Sequence, residues 1–387
     1  MQYRTFGKTN EKVSALGFGT MRLPVVGGDN SKVDESAALR LLQHAVDNGL
    51  NYIDTSWPYH GNSLTEGGAS EPFVGRALKA IGRDKVFVAT KLPIWVVESR
   101  ADMDVYLDKQ LERLQTDYVD FYLVHNIMEP TWRNVVSLGL RDFLDKALES
   151  GKIRYAGFSF HDTPQLFQEV SNFYDWSFFQ HACNYFDTKF QAGLAGIDEV
   201  CGRGLGFVAM EAVLGGMLAD QLPQEALDVF AATGIDRSPA GWALRWAWNR
   251  PQTSLVLSGM STMAQVEENL RLVDEALPGS LTPKELEAIE TVRAILKSKG
   301  PVPCVECGKC SCPKGVDIQQ NFTIYNSNHT FRNVPLGCHQ YPLMLTAAGH
   351  GAELCDGCGE CEPMCPEGIA IAKEMPKVAA YFADDGK

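Results

Sequence analysis

DESAALRLLQHAVDNGLNYIDTS, residues 34–56, holds one complete unit of a repeating pattern. Its first part opens with acids and spaces Leu and Ala at three- and four-residue steps. It stops at Gly49, a residue able to take the left-handed conformation that closes a helix. The run YIDTS then reads as a short strand. Working outward, residues 13–276 repeat the alternation, and eight β-type runs appear: VSALGFGT, YIDTS, VFVATKLP, VDFYLVHN, IRYAGFSF, FFQHACNYF, GFVAMEAV and TSLVLSGM. Repeated strand–helix units imply a parallel sheet. Eight of them within about 250 residues fit a closed barrel better than an open doubly wound sheet. The predicted class is α/β: a (β/α)8 TIM barrel followed by a smaller, mainly helical domain.

The boundary is expected where LTPKELEAIETVRAILKSKG starts a helix with Thr282 as N-cap, Pro283 in its first turn and Glu285 closing a capping box, and ends it near Gly300. Residues 1–298 then form the barrel and residues 299–387 a second domain. A chain of 387 residues that is 45% hydrophobic can fill both cores. Its net charge of −13 argues against nucleic acid or an anionic membrane surface as partner and favours small molecules or proteins. With no apolar leader and no spanning-length apolar run, the expected location is cytoplasmic.

Barrels of this kind present reactive groups at the C-terminal ends of their strands. Asp54 ends YID, Tyr59 follows it in TSWPYHGNS, Lys91 ends VATK and His125 ends FYLVH. A buried Lys beside a buried Asp offsets the desolvation of each. Close to a phenol, the ammonium should lower the Tyr59 pKa from about 10 toward neutrality and make it a general acid. His125 could then donate to a carbonyl oxygen and polarise it. The implied chemistry is proton delivery to an oxygen as hydride reaches its carbon. Trp57 and Trp95, also after strand ends, are candidates for an apolar pocket wall. GRGLGF, residues 202–207, lacks full phosphate-loop spacing and reads as a helix-to-strand turn; Trp242 and Trp246 read as a core stripe.

With these residues in hand, the chain resembles the aldo-keto reductases over about residues 1–298. NYIDTSWPYHGNS is similar to that family's aspartate–tyrosine signature, and ATKL and YLVHN to its lysine and histidine strands. The resemblance implies a TIM barrel, NADP or NAD, and reversible reduction of a small carbonyl substrate. It makes Tyr59 the proton donor, Lys91 and Asp54 its modulators and His125 the carbonyl-positioning group. It also implies cofactor contacts at Gly19, Thr20, Met21, Ser159, Gln180, Met210, Gly259, Gln265, Glu268 and Asn269. The chain departs from the family where Phe160 replaces a usual Asn, where Met210 and Glu211 replace a stacking Tyr, and where no Lys or Arg lies between Ser258 and Asn269 to grip a 2′-phosphate.

Eight of eleven cysteines fall in two groups, Cys304, Cys307, Cys310, Cys312 and Cys355, Cys358, Cys361, Cys365. The second has the C-x2-C-x2-C-x3-C-P spacing that serves 4Fe-4S cubes, in which the fourth thiolate goes to the neighbouring cube. The first is shorter before its last Cys. Together they resemble an α-helical ferredoxin domain. The expected pairing gives one cube Cys304, Cys307, Cys310 and Cys365, and the other Cys355, Cys358, Cys361 and Cys312, with Cys338 as substitute for Cys312. Zinc is the rival metal. Cys183 and Cys201 read as small buried apolar residues. Three functions are weighed, of which the first is the expectation and the second its alternative, while the intact Asp54, Tyr59, Lys91 and His125 set argues against the third. The first is a nicotinamide-dependent carbonyl reductase whose clusters stabilise the fold or sense oxygen. The second is an enzyme whose clusters, fed by ferredoxin or another electron-transfer protein, relay single electrons to a flavin or substrate. The third is a redox-sensing or electron-transfer module with a nucleotide-binding barrel.

Overall fold

A computed structural model of the chain describes residues 1–331 and 341–383. The N-terminus makes an antiparallel hairpin of β1 (Tyr3–Thr5) and β2 (Lys12–Ser14). The barrel strands follow: β3 (Leu16–Gly19), β4 (Tyr52–Asp54), β5 (Phe87–Leu92), β6 (Val119–Ile127), β7 (Ile153–Phe160), β8 (Phe178–Ala182), β9 (Gly206–Met210) and β10 (Leu255–Ser258). All pair in parallel, and β10 closes on β3. These are the eight runs read from the sequence. The hairpin before them escaped that reading, because three-residue strands carry almost no periodicity.

The unit at residues 34–56 shows why the chain folds this way. Asp34 accepts the Ala37 N–H at 2.9 Å and caps the helix Glu35–Asp47, whose Ala38, Leu41, Leu42 and Ala45 are buried toward the sheet. Gly49 takes φ 92, and the chain returns as the fully buried β4. Repetition of such units leaves apolar side chains between strands and helices, the larger core, and a smaller set inside the barrel. Phe6 reaches into that inner set against Phe121 at 4.9 Å and Phe178 at 5.3 Å, and burying such a ring contributes about 2 to 3 kcal/mol. Gly7 (φ 52) lets the hairpin pass: a Cβ there would lie 2.2 Å from the Gly206 nitrogen. GRGLGF therefore forms the approach to β9, at the strands' N-terminal ends.

Thr282 accepts the Glu285 N–H at 3.3 Å while Glu285 Oε2 accepts the Thr282 N–H at 2.8 Å, so the capping box of the helix Pro283–Lys297 is present. Beyond it, Val302, Phe322, Tyr325, Tyr341, Met375, Val378 and Phe382 gather into a separate apolar core. Its main helices are Ile318–Phe331 and Ile371–Ala383, and the Tyr341 and Phe382 rings stack at 3.9 Å. This region touches the barrel through the loop after β8. Lys189 Nζ donates to Val305 O at 3.0 Å, Gln319 Nε2 donates to Lys189 O at 2.8 Å, and Phe186 meets Phe331 at 5.1 Å. Among the described residues no helix is long and apolar enough to cross a membrane.

Candidate active site

Asp54, Tyr59, Lys91 and His125 come together at the C-terminal mouth of the barrel. Parallel pairing places β4 beside β5 and β5 beside β6, so the ends of three successive strands deliver them. Lys91 is fully buried and Asp54 nearly so. An ammonium has three donors, and here each has an acceptor: Asp54 Oδ1 at 2.7 Å, Thr55 O at 2.7 Å and the Tyr59 hydroxyl at 3.3 Å. Because the amine donates to the phenol oxygen, the hydroxyl keeps its own proton for another acceptor. Asp54 Oδ2 is buried with no hydrogen bond among the described residues.

Burial opposes the charge on Lys91, but Asp54 and Tyr59 outweigh it and raise the amine above its ordinary value. Burial likewise raises Asp54 against the pull of Lys91. At Tyr59 burial is the largest influence and lifts the phenol above its ordinary value of 10.0; Lys91 pulls it back, while Asp54 and Glu211 push it up again. The expectation of a phenol brought toward neutrality is thereby corrected: exclusion of water outweighs the neighbouring cation. Tyr59 holds its proton at neutral pH, the form that can donate.

His125 stands where β6 breaks register with β7 between Val124 and Ile127, and Asn126 takes φ 51. The Tyr59 and His125 rings meet edge-on at 6.1 Å. Burial, with Lys91 and His161 adding to it, holds the imidazole well below 6.5, so it is neutral at physiological pH. Ser56 Oγ lies 2.9 Å from its Nδ1. Ser56 was not singled out in the sequence, although it sits two positions after Asp54, on the path from the strand end to Tyr59. Trp95 packs 5.1 Å from His125 with its indole N–H spent on Leu64 O, so it offers the site an apolar face. Trp57 lies edge-on to Tyr106 at 5.1 Å and under the Arg113 guanidinium.

The expected cofactor contacts lie on the adjoining strand ends. Ser159 and Gln180 are register partners across β7 and β8. The Ser159 hydroxyl accepts the Asn126 N–H at 2.8 Å. Gln180 Nε2 touches Met210 Sδ at 3.5 Å, and its Oε1 is buried without a hydrogen bond among the described residues. Gly19 ends β3 and Met21 is 58% exposed. Thr20 turns inward, donating to Asp54 O at 2.9 Å and sharing a hydrogen bond with Ser70 at 2.7 Å. Gly259 follows β10, and the Arg22 side chain lies over it. Gln265 Oε1 accepts the Ser261 and Thr262 N–H groups, and Asn269 Nδ2 donates to Ser258 Oγ at 2.8 Å. Glu268 is half-buried on the same helix, Met263–Val273. Phe160 points away from this row, into the helix layer against Phe167 at 5.0 Å.

Cys304, Cys307, Cys310 and Cys365 line one pocket, with Phe322 and Ile371 among its walls. Burial and the neighbouring thiols push Cys304 up to about 11 and Cys310 up to about 12. Burial also raises Cys361, with Cys312, Cys355 and Cys358 adding to it. Among the described residues no group of three or more Cys, His, Asp or Glu side chains is placed to hold a metal ion. Cys338 lies outside the described residues. Burial pushes Cys183 and Cys201 up to about 12, as inert thiols would be.

Comparison with known proteins adds an independent finding. The Aldo/keto reductase family profile matches residues 15–294, ending before the first thiol group. An L-galactose dehydrogenase from Arabidopsis thaliana is 28% identical over 318 residues, 77% of this chain and 96% of that protein. Protein tas of Escherichia coli is 28% identical over 360 residues, 78% of this chain and all of that protein. The holo structure of an aldo-keto reductase from Bacillus halodurans superposes with a TM-score of 0.61 at 26% identity, over 76% of this chain and 96% of that one.

Proposed function

The chain belongs to the aldo/keto reductase family and is an oxidoreductase of that type; from this we propose that it reduces an aldehyde or ketone to the alcohol with NADPH or NADH. The observation that carries the reading is Lys91, whose three donors are all engaged, one of them on the Tyr59 oxygen. Tyr59 then gives its hydroxyl proton to the carbonyl oxygen. Lys91 stabilises the phenolate left behind, and Asp54 keeps Lys91 charged. With Ser56 donating to Nδ1, the neutral His125 carries its proton on Nε2 and offers it to the same oxygen. A bound dihydronicotinamide supplies the hydride.

Ser159 and Gln180 suit a carboxamide, since the orphaned Gln180 oxygen lacks a donor. Met210 offers a polarisable wall for the ring. Gly19, Thr20, Met21, Gly259, Gln265, Glu268 and Asn269 are proposed for the rest of the nucleotide. For Thr20 this means its backbone, because its hydroxyl is committed to Asp54 and Ser70.

The proposal extends to a division near residue 298 and to two 4Fe-4S clusters on the thiol pairing given above. Spacing supports it, as does the gathering of Cys304, Cys307, Cys310 and Cys365 around one pocket. The clusters supply single-electron transfer or, by binding, folding free energy. A second reading, a relay from ferredoxin to a flavin or substrate in the barrel, is favoured by one observation: the loop after β8 grips Val305, between Cys304 and Cys307.

Carbonyl-dependent NADPH oxidation, measured for the wild type and Tyr59→Phe, tests the first reading. Loss of about a hundredfold or more in the variant, with nucleotide affinity within about twofold, supports it. Retained turnover sinks the proton-donor role.

A further inference from the structure

The turn between Cys304 and Cys307 is fastened to the barrel. Glu306 within it is buried and takes φ 55, a left-handed conformation that a non-glycine residue keeps only where neighbours hold it. Its carboxylate accepts the Thr323 hydroxyl at 3.3 Å and pairs with Lys297 Nζ at 2.5 Å. The same ammonium lies 3.2 Å from Asp187 Oδ1 and 3.9 Å over the Phe186 ring. Asp187 is set by Asn184, whose side-chain oxygen accepts the N–H groups of Phe186 and Asp187. Arg293 also bears on Asp187 and holds the next residue through the Thr188 hydroxyl at 2.7 Å.

On the barrel side Glu211, the residue after Met210 of β9, takes φ 57 and feels the charge of Asp187. Burial, with Asp187 adding to it and Arg22 opposing it, lifts Glu211 to about 7. Glu211 in turn acts on Tyr59. The partly buried Lys297 ammonium thus stands between Glu306, beside the thiols, and Asp187, on the loop after β8.

We propose that Lys297 is a positioning residue coupling the Cys304, Cys307, Cys310 and Cys365 pocket to the reductase site, so that negative charge gained in the pocket draws on Lys297 and favours proton uptake by Asp187 and Glu211 near Tyr59. The proposal rests on the iron–sulfur and nucleotide readings above. When the group held in the pocket takes one electron from dithionite, the compensating proton enters the Asp187–Glu211 pair from solvent.

The test uses the full-length holoprotein and a tetrahydronicotinamide analogue of NADPH, which has no hydride to give. Its affinity is measured by calorimetry against pH, before and after dithionite. The midpoint of the pH dependence should rise by about half a unit or more on reduction in the wild type and in Lys297→Arg, and stay fixed in Lys297→Met. An equal rise in Lys297→Met, or none in the wild type, overturns the proposal. If Lys297→Met does not fold, Asp187→Asn takes its place with the same expected loss. If the analogue binds none of these proteins, the nucleotide reading has failed, and hydrogen exchange over residues 184–191 decides the coupling. About tenfold faster exchange in Lys297→Met than in wild type and Lys297→Arg supports it, and equal rates overturn it.

Discussion

Ser56 Oγ stands 2.9 Å from His125 Nδ1, joining the end of β4 to the end of β6. A hydroxyl that donates to Nδ1 leaves the proton of a neutral imidazole on Nε2. Ser56→Ala should therefore lower kcat for carbonyl reduction by about tenfold and leave nucleotide affinity unchanged, while Ser56→Thr keeps most of the rate. Steady-state kinetics of the two variants checks this.

Lys91 and Asp54 have almost no contact with water. Lys91→Met leaves an uncompensated buried carboxylate and should cost about 3 to 5 kcal/mol of unfolding free energy. Adding Asp54→Leu should restore much of that loss, because the charge without a partner is gone. Urea denaturation of both variants separates this from a loss of packing.

Glu211 is raised from 4.5 to about 7 in the folded chain. The unfolded carboxyl releases its proton first, so its contribution to stability is present below about pH 4.5 and is lost as pH rises through about 7. Glu211→Gln, neutral at every pH, should match the wild type below that window, flatten the stability profile over it and stay the more stable of the two above it. Urea midpoints from about pH 5 to 8 give the comparison.

The two thiol sets should lose metal separately. Cys310→Ser should remove about half of the iron and sulfide of anaerobically prepared protein, Cys358→Ser the other half, and Cys183→Ser none. Stoichiometric zinc in a colourless protein would contradict the assignment.

The eight strands were legible because burial imposes a period on the sequence, and so were the four mouth residues, because strand ends are where such barrels display chemistry. Phe160 was recognised as a departure, but its direction came only from β7, where side chains alternate and Ser159 already takes the mouth. The sign at Tyr59 was misread because a sequence shows the neighbouring lysine and not the exclusion of water. Asp187, Lys297 and Glu306 escaped entirely: Asp187 meets the other two only where the loop after β8 docks on chain more than a hundred residues further on, and no spacing announces it. Ser56 was in plain view, and only the distance to His125 gives it a role.

The central claim is that a hydride and the Tyr59 proton reach one carbonyl together. NADPH deuterated at the transferred position of its nicotinamide, incubated anaerobically with the full-length protein and a panel of aldehydes and ketones, tests it most directly. The account predicts one deuterium on the carbinol carbon of the product with the wild type, and a rate lower by about a hundredfold with Tyr59→Phe. NADPH consumed with no deuterium in the alcohol, or labelling undiminished in Tyr59→Phe, would contradict it.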